Sequence, residues 1–290
     1  MSTKPALKTL YDEPGPRGKI LNLIISAACL AGLATGAVWV LSALSGKGQL
    51  APEKWLPFLT ADMWRTYLLP GIIGTLQAAA LAVVLATVLG ILLGIGRMSE
   101  KRSVRYGCTA VVEFFRAMPL LILMIFCFQV FANYSLFPST QLAMAAVVTG
   151  LTLCNGAVIA EIVRAGVQAL PRGQREASIA LGLGNGQTMR MVLLPQAITA
   201  MLPPIVAQLV VALKDTALGY QITYVEAVRQ GIQAGSAYSN YIPALLVVAA
   251  VMIAINFALS QLAVTVENKL RKGRKPVAKA ADRQVAVPAL

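Results

Sequence analysis

Five long runs without a single charged residue limit what this chain can fold into. They are residues 20–46, 66–96, 117–160, 191–213 and 230–266. Each exceeds the roughly 20 residues that a helix needs to cross the hydrocarbon core of a membrane. The run at 117–160 is long enough for two crossings, and residues 133–140 read as a turn between them. The sequence therefore predicts an all-α integral membrane protein with six transmembrane helices.

The distribution of charge predicts the orientation of these helices. The chain carries 25 Lys and Arg against 12 Asp and Glu, a net charge of +13, which could indicate nucleic-acid binding. However, 20 of the 25 basic residues fall in segments that lie on one side of the membrane when the N-terminus is inside. Because cytoplasmic segments carry an excess of Lys and Arg, we expect both chain ends and residues 171–195 in the cytoplasm. The expected location is the plasma (inner) membrane, with no nucleic-acid partner.

The charge and proline pattern divides the chain into five parts. They are a cytoplasmic arm at 1–19, a first transmembrane helix at 20–46, an outer loop at 47–67, a core with the remaining helices at 68–267 and a basic cytoplasmic tail beside lipid at 268–290. Within the core, residues 97–116 predict an amphipathic helix along the inner surface. Prolines at 195, 203 and 204 predict that the fifth crossing is an intact helix only from about Leu202 to Ile222.

Motifs for enzymatic chemistry are missing from the sequence. It has no His, its four Cys are scattered, and no Gly-Lys pair is followed by Ser or Thr as in a phosphate-binding loop. We therefore expect no enzyme activity, metal or cofactor in this chain. If ATP drives its activity, the ATPase is a separate chain.

A compact polar segment, residues 171–195, interrupts the apolar runs. Its spaced residues are Glu176, Ala177, Ser178, Gly182, Val192, Leu194 and Pro195. This spacing resembles the EAA motif of ABC importer permeases, in which Glu-Ala-Ala is followed by Gly four residues later and by an Ile-x-Leu-Pro element. The physical pattern also predicts a short helix, with Gly173 breaking the chain, Glu176 in the first turn and Gly182 at the end. The alternative is an ordinary interhelical loop.

Three further segments resemble the polar amino-acid permeases of that family: residues 114–121, 156–164 and 213–218. Residues 10–18 and 220–226 look most like the glutamate-uptake branch. The likeness covers about residues 68–272, which implies that the helix at 20–46 is extra to the family's five-helix core. Val158 replaces the family's aromatic residue, and Ala165 replaces a Gly. It implies a type I importer permease fold in which Glu176, Ala177, Ser178, Gly182, Leu194 and Pro195 dock the ATPase. It also implies a dimeric ATPase that binds ATP and Mg, a second permease chain, identical or related, and an extracytoplasmic substrate-binding protein.

Polar residues within the predicted crossings are candidates for the substrate path. They are Asn155, Glu161, Lys214, Asp215 and Thr216. A polar group at membrane depth is costly and usually faces a protein interior or a water-filled path, and an amino acid needs partners for both its charges. The alternative is that these residues pair with one another across helices, or, for Glu161 and Arg164, within one helix. The rival function is an ion-gradient-driven secondary amino-acid transporter, although the internal repeats typical of that class are not evident.

Overall fold

The computed structural model describes residues 15–272, and no β-strand occurs in that range. The predicted arm and tail therefore lie partly outside the described residues. The main helices are α1 (Pro16–Gly46), α2 (Pro52–Trp55), α3 (Ala61–Arg97), α4 (Arg102–Ala117), α5 (Leu120–Asn133), α6 (Ser139–Gln168), α7 (Arg172–Ala180), α8 (Leu194–Asp215), α9 (Ala227–Ala237) and α10 (Tyr241–Lys272). The chain divides into two compact units at Leu56, so α1 and α2 are separate from the bundle formed by α3 to α10.

Five of these helices are long and apolar enough to cross a membrane: α1, α3, α6, the end of α8 with its extension to Ile222, and α10. Helices α4 and α5 meet the same criterion of length and composition only when they are taken together, and they are bent by 104° at the residues between them, so the structure has five to six candidate crossings. The prediction of an all-α fold with six crossings is confirmed in this form. The bend has a local cause, because Pro119 disfavours helical geometry at Met118, which adopts φ −80° and ψ 130°.

Glycines allow α3 and α6 to pack closely, as their spacing in the sequence suggests. A Cβ atom on Gly90 would lie 2.6 Å from Cβ of Ile159, and one on Gly94 would lie 2.8 Å from Cβ of Val163. Both contacts are shorter than any side chain tolerates. In lipid, small residues four apart let helix backbones approach and gain van der Waals contact. Because α6 also packs against α4, α5 and α8, it lies at the centre of the bundle.

The helix α8 differs from its prediction. It begins at Leu194, eight residues before the expected Leu202, and contains Pro203 and Pro204 in its interior. It ends at Asp215, after which Thr216–Ile222 continues as a 3-10 helix. The predicted crossing, Leu202 to Ile222, nevertheless agrees with the span Met201–Ile222. The prediction was wrong only in expecting the prolines to keep the earlier residues out of the helix, because prolines are tolerated in membrane helices.

The end of the bundle opposite α7 is closed by the loop before α9. The Tyr224 hydroxyl donates a hydrogen bond to the Gly74 carbonyl at 2.7 Å, and the Ala227 backbone N–H donates to the Thr75 hydroxyl at 3.1 Å. A Cβ atom on Gly74 would overlap the backbone of Val225. This loop is therefore fixed against the N-terminal half of α3.

Glu226 caps α9 from within this loop. Its two carboxylate oxygens accept hydrogen bonds from the N–H groups of Val228 (2.8 Å) and Arg229 (2.6 Å), and the residue is 1% exposed. Burial raises the pKa of this carboxyl group to about 7, although the two amide bonds and the charge of Arg229 oppose the shift. Glu226 is thus a buried acid outside the crossings that titrates near neutral pH.

Candidate functional site

The polar segment at 171–195 folds around the short helix α7. Gly182 follows the helix with φ +79°, a left-handed conformation that glycine adopts without strain. Its N–H donates to the Ile179 carbonyl at 2.9 Å, and the Leu183 N–H donates to the Ser178 carbonyl at 3.1 Å. These two bonds form a Schellman C-cap, which ends the helix where the sequence predicts.

The start of α7 differs from the prediction. Gly173 lies inside the helix, which begins at Arg172 immediately after Pro171, so proline and not glycine separates it from α6. Glu176 is consequently beyond the first turn, which contains no acidic residue. Its interaction with the helix dipole is therefore weaker than the sequence suggests, because the effect falls off within one turn.

The candidate docking residues divide into exposed and inward-facing sets. Glu176, Ala177, Gly182 and Pro195 are exposed, Leu194 is half-buried, and Ser178 is buried. The Ser178 hydroxyl donates to the Gln174 carbonyl at 2.6 Å, so within this chain it supports the helix itself. Three large apolar side chains are also exposed here: Ile179 (51%), Leu181 (81%) and Met191 (67%). An apolar surface of this kind beside polar residues is typical of a protein interface.

Two side-chain contacts attach the segment to the rest of the bundle. The Gln196 amide in α8 donates to the Gln174 side-chain oxygen in α7 at 3.1 Å. After α7, the Asn185 amide donates to the Glu100 carboxylate, which lies between α3 and α4. A displacement of the segment would therefore act on α8 and on the junction of α3 and α4.

A cluster of ion pairs lies at that same junction. The Arg97 guanidinium, whose side chain is 6% exposed, contacts Glu161 of α6 at 2.6 Å and Glu113 of α4 at 2.9 Å. Glu161 also pairs with Arg116 at 3.5 Å and with Arg164 at 2.8 Å. The Glu161–Arg164 pair foreseen as an alternative is thus present. The cluster joins α3, α4 and α6, and within it the Glu161 carboxylate is already paired with three arginines.

A second polar site lies between α6 and α8. Asn155 is 4% exposed; its side-chain N–H donates to the Leu151 carbonyl at 2.9 Å, and its oxygen accepts from the Gln208 amide at 2.6 Å. Asp215 is half-buried and lies seven residues after Gln208, about two helical turns, so that it shares a face of α8 with Gln208. Asn155, Gln208 and Asp215 therefore form a polar patch across these two helices, which we call the α6–α8 patch.

The remaining candidates for the substrate path, Thr216 and Lys214, have different surroundings. Thr216 is fully buried, and its hydroxyl donates to the Leu213 carbonyl at 2.7 Å. Lys214 is exposed. Among residues 15–272, neither Lys214 nor Asp215 forms an ion pair, so the alternative of mutual pairing across helices is not observed for these two.

Two residues of these sites were missed from the sequence. Gln208 is the only polar side chain between Met201 and Leu213, a signal that could have identified it. Arg97 appears in the sequence only as one of the cytoplasmic basic residues. No local pattern reveals that it is buried, because its partners are 16 and 64 residues away in sequence.

The fold defines a polytopic integral membrane protein, and comparison with known families identifies its class. A family model described as "Binding-protein-dependent transport system inner membrane component" matches residues 86–272. The chain therefore belongs to that family and is a multi-pass inner-membrane component of a transport system.

Several transport permeases are similar to this chain over most of their length. The chain is 56% identical to the glutamate transport system permease protein GluD of Corynebacterium glutamicum, over 80% of this chain and 85% of that protein. It is 29% identical to the glutamate/aspartate import permease protein GltK of Escherichia coli O6:H1, over 68% of this chain and 90% of that protein. A similar solved structure is a crystal structure of an amino acid ABC transporter with histidines, with a TM-score of 0.66, 28% identity and coverage of 73% of this chain and 98% of that one.

Proposed function

We propose that this chain is the permease subunit of an ATP-driven ABC importer for glutamate or a closely related amino acid. The observation that carries the proposal is the 56% identity to a glutamate transport permease over most of both chains. The exposed α7 with its EAA-type spacing supports the same function, since an importer without its own ATPase motif needs a surface for one. Both chain ends and α7 are placed in the cytoplasm, in accord with the positive-inside bias.

The docking surface consists of α7 and the residues that follow it. Glu176, Ala177 and Gly182 are exposed on it, and Leu181 offers a large apolar contact. A dimeric ATPase that binds ATP and Mg contacts this surface, and its nucleotide state changes the free energy of that contact. Only such a difference can shift the equilibrium between permease conformations. The displacement reaches the crossings through Gln196 and Glu100.

The substrate path includes the α6–α8 patch. Its amides supply both hydrogen-bond donors and acceptors, Asp215 can receive an ammonium group, and Lys214 can receive a carboxylate when a second permease chain encloses the path. Glu161 is assigned to holding α3, α4 and α6 together, because three arginines already use its carboxylate. An extracytoplasmic binding protein delivers the substrate at the end opposite α7.

Site-specific photocross-linking tests the docking surface. A photoreactive amino acid replaces Leu181 in growing cells, and the captured protein is identified by mass spectrometry. We expect an ABC ATPase. The matched control is the same replacement at Leu136, an exposed residue (57%) in the turn between α5 and α6 at the opposite end. Capture of no ATPase from position 181, or equal capture from both positions, would refute the assignment of the surface.

Uptake measurements test the substrate and the patch. Cells lacking the chain are compared with cells in which it is restored, using labelled glutamate and a panel of competing amino acids. We expect restored uptake that glutamate and close analogues inhibit most. Gln208→Leu should reduce uptake while membrane levels stay normal. Asn256→Leu is the control, because that amide in α10 donates to its own helix at Met252. Unchanged uptake by the Gln208 variant would contradict the path.

A further inference from the structure

The helix α4 presents two different faces. Val112 is fully buried and Cys108 packs close to Gly96, so one face belongs to the bundle. The other face is exposed and carries two aromatic side chains, Tyr106 at 66% and Phe114 at 57%, together with the charged residues Arg102 and Glu113. Together with the 104° bend to α5, this describes a helix lying across the bundle with aromatic side chains directed away from it.

The beginning of α4 carries an excess of positive charge. Lys101, Arg102 and Arg105 stand within five residues, and the first turn has no acidic residue. Within the described residues, none of these three forms an ion pair with an acid. The Arg105 guanidinium donates only to the Ser99 carbonyl, at 3.3 Å, and lies over the Tyr106 ring at 5.6 Å. The nearby Glu100 accepts a hydrogen bond from Asn185.

We propose that the exposed face of α4 is a binding site for anionic phospholipid, with Arg102 and Arg105 at the lipid phosphate and with Tyr106 and Phe114 among the acyl chains. An amphipathic helix with basic and aromatic residues lies in the membrane interface and binds in proportion to its apolar area and its attraction to anionic headgroups. Charge complementarity decides for lipid over a protein partner here, because the cations adjoin exposed aromatic residues on an amphipathic helix that leads directly into the apolar helix α5. The proposal does not depend on which amino acid is transported.

The proposed lipid site adjoins the ion-pair cluster that joins α3, α4 and α6. Glu113 and Arg116 of the same helix belong to the ion-pair cluster with Arg97 and Glu161. Lipid bound along α4 therefore stabilises the orientation of a helix that is joined to α3 and α6 at this cluster.

Photoactivatable lipids test the site in the assembled complex. The complex is reconstituted into phosphatidylcholine vesicles that contain an equal small fraction of a photoactivatable phosphatidylglycerol or of the phosphatidylcholine probe with the same acyl chains. Labelled residues are located by mass spectrometry. We expect phosphatidylglycerol to label residues 103–114 more than phosphatidylcholine does, with the excess falling as salt is added. Arg102→Gln and Arg105→Gln should each lower the ratio of the two probes by about fivefold.

Two controls separate the outcomes. Arg65→Gln removes an exposed charge near the start of α3, whereas the lipid site lies beyond the other end of α3. This variant should leave the ratio of phosphatidylglycerol to phosphatidylcholine labelling unchanged. Labelling by phosphatidylcholine should stay constant in all variants, which shows that α4 keeps its place. Equal labelling by the two probes in the wild-type complex would overturn the proposal. So would the absence of lipid labels at Tyr106 and Phe114 combined with cross-links there to a second permease chain or the ATPase.

Discussion

Replacing Gly182 with alanine should weaken docking of the ATPase through backbone strain alone. A Cβ atom at this position would meet no other atom within 4 Å, so steric overlap makes no contribution. The cost arises from φ +79°, because a left-handed conformation costs an L-residue with a side chain roughly 1–2 kcal/mol. If the ATPase binds only α7 with its C-cap formed, this cost lowers the affinity by about 5- to 30-fold.

A matched glycine in the same helix provides the control. Gly173 also has open space around its Cβ position but lies within α7, where alanine is favoured over glycine by roughly 0.5–1 kcal/mol. The purified chain in nanodiscs is titrated with fluorescently labelled ATPase, and membrane levels confirm insertion. We expect weaker binding for Gly182→Ala and unchanged or tighter binding for Gly173→Ala. Equal dissociation constants for the wild type and Gly182→Ala, or a similar loss in both variants, would refute the reasoning.

Three further changes test the packing and electrostatics of the bundle by thermal unfolding in detergent. Arg97→Gln leaves two carboxylates without their buried cation and should destabilise the fold by about 3 kcal/mol. Glu113→Gln changes an acid that is 56% exposed and should cost less than about 1 kcal/mol. Equal effects of the two variants would contradict the central role of Arg97 in the cluster. Gly94→Val should destabilise the fold by about 1–3 kcal/mol, because the new side chain forces α3 away from α6. Gly107→Ala is the control and should not destabilise the fold, because a Cβ atom there meets no other atom within 4 Å. A Gly94→Val variant as stable as the wild type would disprove the close contact. Because the pKa of Glu226 is raised from 4.5 to about 7, its stabilising contribution is complete below about pH 4.5 and is lost as the pH rises through about 7. The difference in unfolding free energy between the wild type and Glu226→Gln should therefore change between these two pH values. A difference that stays constant with pH would contradict the raised pKa.

Sequence alone predicts those parts of the fold that depend on hydropathy and local conformation. The uncharged runs identify the crossings because lipid accepts only helices with satisfied backbone groups. Gly182 is predictable as a helix end because its role depends on its own φ angle. The break between α6 and α7 could have been assigned to Pro171, since proline favours a helix start over an interior position.

Features that depend on tertiary contacts are less predictable. The helix α8 continues through Pro203 and Pro204, which no local sequence rule for soluble helices predicts, since prolines are tolerated in membrane helices. The partners of Glu161 come from α3, α4 and α6, so its assignment to ion pairs required the structure. For the same reason Gln208 joined the α6–α8 patch only when its contact with Asn155 was seen.

Transport in proteoliposomes tests the central claim most directly. The chain is co-purified with its ATPase and any second permease chain and reconstituted with ATP on the side of α7. Labelled glutamate and the binding protein are added on the other side. We predict glutamate accumulation that requires ATP hydrolysis and persists when ionophores abolish ion gradients. Accumulation that proceeds without ATP and stops when the proton or sodium gradient is removed would contradict the account.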